Sequence, residues 1–292
     1  MVEPLVAKLA LRSHRNLYDV YSYFDWPPEM PRDAYWLSPE LLSVHGTSVE
    51  AELTEAQKRT LSQFETINLF SVFVQGESDL LRAVLGASVK PQFAEFFPYF
   101  THFIDEENKH MWFFAEFCRR YRGALYPVHV LRTPSSFPDD VEEALAFVRI
   151  LLFEEMGDYI NVRVAADARI PPLLREIHRR HHDDEVGHIA IGWRVARRFL
   201  GAALQGHAPQ MVSAVRSHLE AYAGWTLGSL YSPSVYADAG LPQPYDLRNR
   251  LLNDPARSAA HAKVMRRAHE RLLAVWRELG GPASVAQELE TQ

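Results

Sequence analysis

The sequence predicts an all-α chain: four long core helices, two further helices after them and an irregular arm before them. Three observations carry this. Long segments read as helix, strand-like alternation is absent throughout, and start and stop residues fall at the segment ends. The 292 residues suit one domain, divided into an arm at 1–50, a core at 54–200 and extra helices at 208–280.

Residues 1–50 are rich in Pro, Trp and Tyr and show no steady period, which reads as an ordered, irregular arm. Thr54-Glu55-Ala56-Gln57 has capping-box spacing and opens the first helix, to about Leu85, before Gly86. Pro98 marks the start of the second or a kink in it, and this helix runs to Arg122, before Gly123. Ser136-Phe137-Pro138 opens the third, to about Ala166. Pro171-Pro172 opens the fourth, to about Leu200, with Gly201 as its stop. A fifth spans about Pro209–Leu230, and 231–253 reads as a connecting loop. Asp254-Pro255 is a cap and first-turn proline for a sixth, ending at Gly280-Gly281, and Gln287–Gln292 is expected to fray.

Composition narrows the function. A net charge of −6 gives no electrostatic case for a nucleic-acid partner. The start, Met1 to Val6, lacks the basic-then-apolar pattern of a signal peptide. No stretch approaches the roughly 20 apolar residues of a membrane span. Cys118 is the only cysteine, which excludes an internal disulfide and a Cys-based metal site and suits a reducing cytoplasm.

The chemistry lies in two repeated spacings. His181, Glu185 and His188 stand at i, i+4 and i+7, one stripe of one helix. Glu107 and His110 repeat the Glu-x-x-His spacing on the second helix. Two such pairs, with a carboxylate from each of two other helices, are how a bundle holds two iron ions. On the first helix the candidate is Glu77, with Phe70, Phe73 and Val74 on its face. On the third it is Glu154 or Glu155, which point about 100° apart. The expected ligands are therefore Glu77, Glu107, His110, Glu154 or Glu155, Glu185 and His188, with His181 as a seventh. Inward-facing carboxylates need a compensating cation. Imidazole and carboxylate together suit iron or manganese, and such a site with open positions can reduce O2.

Plainer readings stand beside these. A lone Glu-x-x-His is commonly a solvated pair. His181 adjoins Arg179, Arg180 and His182 and would serve equally on an exposed basic face. His178 reads as surface or as support behind the ligands. Asp184 and Asp158 are candidates to hydrogen-bond ligand histidines or to form surface ion pairs. Gly76, Gly157 and Gly187, each within three residues of an expected ligand, suit close approach to metals or ordinary helix packing.

On these residues the chain resembles the p-aminobenzoate N-oxygenase family of di-iron enzymes, over roughly residues 18–200. The arm Asp25-Trp26-Pro27, Tyr35-Trp36-Leu37-Ser38-Pro39-Glu40 and Ser43-Val44-His45-Gly46-Thr47 is similar to that family's lead-in. Glu77, the Glu107/His110 pair and the more specific His181/Glu185/His188 motif match its ligands, and its spacing favours Glu154 on the third helix. The resemblance implies a ferritin-like bundle with a Fe/Fe pair (Mn/Fe as the alternative) and O2 as co-substrate. It implies a bridging peroxo species that oxidises an aromatic amine through hydroxylamine toward nitroso or nitro, in natural-product biosynthesis. It also implies an external electron donor and a homodimer. His45 departs from the tyrosine expected there, and no substrate-binding residue is identified, Arg82 and Arg163 being the candidates for a carboxylate. Competing functions are C–H hydroxylation or oxidative rearrangement, a ferritin-like ferroxidase, and a radical-generating subunit using Tyr159 or Tyr99.

Overall fold

The computed structural model describes residues 3–128 and 137–278, and every regular element among them is a helix. Four long helices form the core: α4 (Glu55–Ser88), α5 (Phe97–Tyr121), α6 (Asp139–Ala166) and α7 (Pro172–Leu204). Before them come α1 (Glu3–Arg15), α2 (Val20–Tyr23) and α3 (Ser48–Glu52). After them come α8 (Pro209–Gly228), α9 (Pro233–Asp238), α10 (Pro244–Leu252) and α11 (Pro255–Glu278). No described helix is long and apolar enough to cross a membrane.

The local signals act as physics requires. Thr54 Oγ1 accepts from the Gln57 amide, and Gln57 Oε1 accepts from the Thr54 amide, so the capping box closes. Helix α7 runs through Gly201 and stops only before Gly206, which sits at φ +83°, the left-handed conformation that ends a helix. A glycine inside a packed helix does not stop it; one able to adopt positive φ beyond the last turn does. Two segments are more helical than the sequence pattern suggested. The arm contains α1, whose Val6 and Leu9 pack one turn apart, and the 231–253 loop contains α9 and α10. Each is short and finds its stability against the core rather than in its own period. Ser136, Gly280-Gly281 and Gln287–Gln292 lie outside the described residues.

Helix α4 packs along α5 and α6 along α7; α1 covers α5 and α7, and α11 covers α6 and α7. The apolar core is in two parts. On α4 the first part reaches Phe73 and the second resumes at Leu80; on α5 the second ends at Phe103 and the first resumes at Phe113. The gaps hold Glu77 on α4 and Glu107 and His110 on α5. A buried polar layer therefore separates two aromatic clusters. Above it, Phe70 lies 4.7 Å from Phe114 and 5.0 Å from Phe117, ring centre to ring centre. Below it, Phe93 lies 5.4 Å from Phe147.

Gly76 allows α4 to approach α6. A Cβ there would lie 2.2 Å from the Phe153 ring. Gly76→Ala should destabilise the fold by about 1–3 kcal/mol through overpacking, and Phe153→Leu should recover most of that loss. A double-mutant cycle by urea unfolding checks this; additive costs would show that the two positions do not meet.

Candidate metal centre

All seven side chains converge. Glu77, Glu107, His110, Glu154, His181, Glu185 and His188 are each at most 2% exposed. Their ligand atoms fall into three overlapping groups: Glu77, His110, His181 and Glu185; Glu107, His110, Glu185 and His188; and Glu77, Glu107 and Glu154. Glu185 lies at the middle. Its carboxylate is 3.3 Å from His110 Nδ1, 3.0 Å from His181 Nε2 and 3.3 Å from His188 Nδ1. Glu107 spans a second gap, 2.8 Å from His110 Nδ1 and 2.7 Å from His188 Nδ1. Glu77 approaches His181 Nε2 at 3.4 Å.

The second nitrogen of each imidazole is held from outside. His110 Nε2 meets Asp184 at 3.2 Å, and Asp184 is itself paired with the buried Arg180. His188 Nε2 meets Glu106 at 2.8 Å. His181 Nδ1 meets the Asn161 amide at 2.8 Å, and the same amide meets His178 Nδ1 at 2.8 Å. Such partners fix the ring and the tautomer. As placed, Asn161 Nδ2 donates to His181 Nδ1 and its Oδ1 accepts from His178 Nδ1; for His181 Nε2 to bind a cation as neutral imidazole, Nδ1 must donate, so the amide has to turn over and present its oxygen to His181.

Glu154 and Glu155 diverge. Glu154 faces the cluster. Glu155 accepts from Trp193 Nε1 at 3.0 Å and pairs with Arg271 at 2.7 Å and with Arg267. Asp158 bonds His182 and Arg267, not one of the seven. His178 is buried behind the cluster, and burial drives its pKa down to about 3. Arg82 pairs with Asp79, and Arg163 lies over the Tyr159 ring. Two supporting residues went unnoticed in the sequence. Glu106 lies four residues before His110 and Asn161 seven after Glu154, each on the same helical stripe, and that spacing is the signal that would have found them.

The electrostatics show a layer rich in buried carboxylate. Both oxygens of Glu77, Oε1 of Glu107, Oε1 of Glu154 and Nε2 of His181 are buried without a hydrogen-bond partner. Glu107 Oε1 is close to His188 but not aligned for a bond with it. Burial and the neighbouring Glu107 charge push Glu77 well above the usual carboxylate range; burial, Glu185 and Glu77 do the same to Glu154. Burial would also raise Glu107, but His188 and His110 overcome it and hold it at about 2. His110 rises to about 9: burial opposes its charge, and Glu107 and Asp184 outweigh burial. Crowding of buried carboxylates thus favours the neutral acid at Glu77 and Glu154, a strain that a bound cation would relieve. The donor set is entirely oxygen and imidazole nitrogen, which fits iron or manganese; Cys118 is buried beside Ser71 and belongs to the apolar core.

A cavity of about 270 Å³ opens between α4, α6 and α8. Gly76 and Phe153, the residues before Glu77 and Glu154, line it. Tyr222, Trp225 and Thr226 of α8 form its outer wall, with Arg149 beside them. Burial raises Tyr222 to about 12, and Glu154 is among the charges acting on it, so the wall is within electrostatic reach of the cluster.

Three outcomes test this geometry. Glu154→Ala should lower metal content per chain while Glu155→Ala keeps it, measured by elemental analysis. Asn161→Leu should weaken metal affinity about 10–100-fold, read by chelator competition. Metal must displace the His110 proton, so affinity should rise from pH 6.5 to about 9. The contribution of His110 to metal-free stability runs the other way: it is full below pH 6.5 and lost as pH rises through about 9.

Comparison with known proteins bears on the same residues. The family profile for the p-aminobenzoate N-oxygenase AurF matches residues 2–280. A comparison with curated proteins returned no match. Among solved structures, a variant of an R2-like ligand-binding oxidase with an anaerobically reconstituted Mn/Fe cofactor is similar at TM-score 0.50 and 14% identity, over 92% of each chain. Another structure of such an oxidase, with an aerobically reconstituted Mn/Fe cofactor, aligns at TM-score 0.49 and 13% identity, again over 92% of each. At that identity the first likeness speaks for the all-helical fold, while the family match spans the arm, all four core helices and the added ones. The chain belongs to the p-aminobenzoate N-oxygenase AurF family and is an O2-dependent oxygenase.

Proposed function

We propose that the buried layer holds two iron ions and that the protein oxidises the nitrogen of a small-molecule amine. Glu77, Glu107, His110, Glu154, His181, Glu185 and His188 would be the ligands in this reading. The observation that carries it is the set of partnerless carboxylate oxygens, facing one another between two aromatic clusters and beside a cavity. Bound iron supplies the electrons that reduce O2. The chain supplies the rest. Asp184, Glu106 and Asn161 hold the imidazoles in register. Phe73 lies 5.3 Å from the His181 ring and 5.8 Å from Phe153, closing the layer to water on the side of the first aromatic cluster. The cavity gives an amine a place one residue from Glu77 and Glu154, which favours small-molecule oxidation over iron storage. A Mn/Fe pair is the second reading, supported by the cofactor named for the structural neighbour. An external electron donor, a homodimer and a cytoplasmic setting complete the proposal.

The test is turnover of the iron-loaded, reduced protein with an arylamine under ¹⁸O2. Label on nitrogen, in hydroxylamine, nitroso or nitro product, is the expected result. Label on carbon would give the hydroxylase reading, and iron oxidation with the amine untouched would give the ferroxidase reading.

A further inference from the structure

The four core helices do not close fully around the polar layer. A chamber of about 20 Å³ remains on its far side, inside the second aromatic cluster. Every core helix contributes to it: Val84 from α4, Phe103 from α5, Phe147 and Glu154 from α6, His188 and Val195 from α7. Of its eleven lining residues, only Glu154 and His188 are polar.

Two features keep this space open. At Gly192 a Cβ would lie 2.5 Å from Leu151 Cδ2, so the missing side chain is what lets α6 and α7 meet beside the chamber without filling it. The Phe103 ring lies 4.1 Å from the His188 ring at 50°, which fixes one aromatic wall against a ligand residue. A third feature keeps it dry. One water needs roughly 10–15 Å³ and two to four polar partners. The room is there and the partners are not. Both His188 nitrogens are engaged, Nε2 with Glu106 and Nδ1 with Glu185, and the Glu154 carboxylate turns into the polar layer, so the surface facing the chamber is apolar. An apolar molecule little larger than water has no such need.

We propose that this chamber binds O2, holding an apolar diatomic gas against Glu154 and His188. The assignment rests on the reading of those two residues as metal ligands. Ile150 lines both this chamber and the 270 Å³ cavity, so the two spaces adjoin at its side chain. Amine and O2 then approach from different spaces, and an amine in the larger cavity does not block the gas.

Xenon, an apolar probe of similar size, tests this without any metal. Crystals of the metal-free protein under xenon pressure should show a xenon atom between Phe103 and Val195, and Val195→Phe should remove it. In the iron-loaded, reduced protein, Val195→Phe should slow oxidation by O2 at least tenfold with iron content unchanged. Ordered water in the chamber in place of xenon, or a wild-type oxidation rate in Val195→Phe, would overturn the assignment. If Val195→Phe does not fold, the wild-type xenon map decides alone. Iron uptake by a separately reconstituted sample separates the two failures: xenon bound but no iron taken up removes the metal reading, and iron taken up without xenon removes the chamber.

Discussion

Four glutamates share one buried layer, and the rest of the structure is arranged around that constraint. An ion moved from water into a protein interior costs several kcal/mol even after relaxation. Glu77, Glu107, Glu154 and Glu185 sit together with three histidines, not four matching cations. Burial and mutual repulsion push Glu77 and Glu154 above the usual carboxylate range, while the neighbouring histidines hold Glu107 and Glu185 below it. The core is split to accommodate this. Aromatic side chains fill the space on both sides, and the apolar runs of α4 and α5 are interrupted at Glu77 and at Glu107 and His110.

The outer partners explain how so polar a layer keeps a single arrangement. Each imidazole has one nitrogen facing in and one restrained from behind, by Asp184, Glu106 or Asn161. Arg180 neutralises Asp184, so that support is not itself an uncompensated charge. On α6 the same logic separates neighbours. Arg267 and Arg271 of α11 and Trp193 of α7 take Glu155, which leaves Glu154 alone to face the cluster. The added helix α11 thus fixes the rotation of a core helix. Helix α8 contributes differently, walling the cavity that reaches Gly76 and Phe153.

Much of this was legible in the sequence because helical spacing is a strict ruler. Glu107/His110 and His181/Glu185/His188 needed only the 3.6-residue period to be placed on one face, and the Thr54 box and the prolines located helix starts to within a few residues. The choice between Glu154 and Glu155 was not legible from the face alone, since it depends on arginines more than 100 residues later. Asp158 shows the same limit: its partner, Arg267, is on a distant helix. The short helices α1, α9 and α10 were missed because a few turns carry too little period, and tertiary contact supplies their stability. The cavities were invisible for a related reason, since an unfilled space depends on which side chains from four helices fail to meet.

The central claim is that the layer holds two ions at these seven side chains. The most direct measurement is anomalous diffraction at the iron edge from crystals loaded with iron under anaerobic conditions. The account predicts two peaks within the cluster. A single peak, none in a folded and iron-saturated crystal, or peaks away from these residues would contradict it.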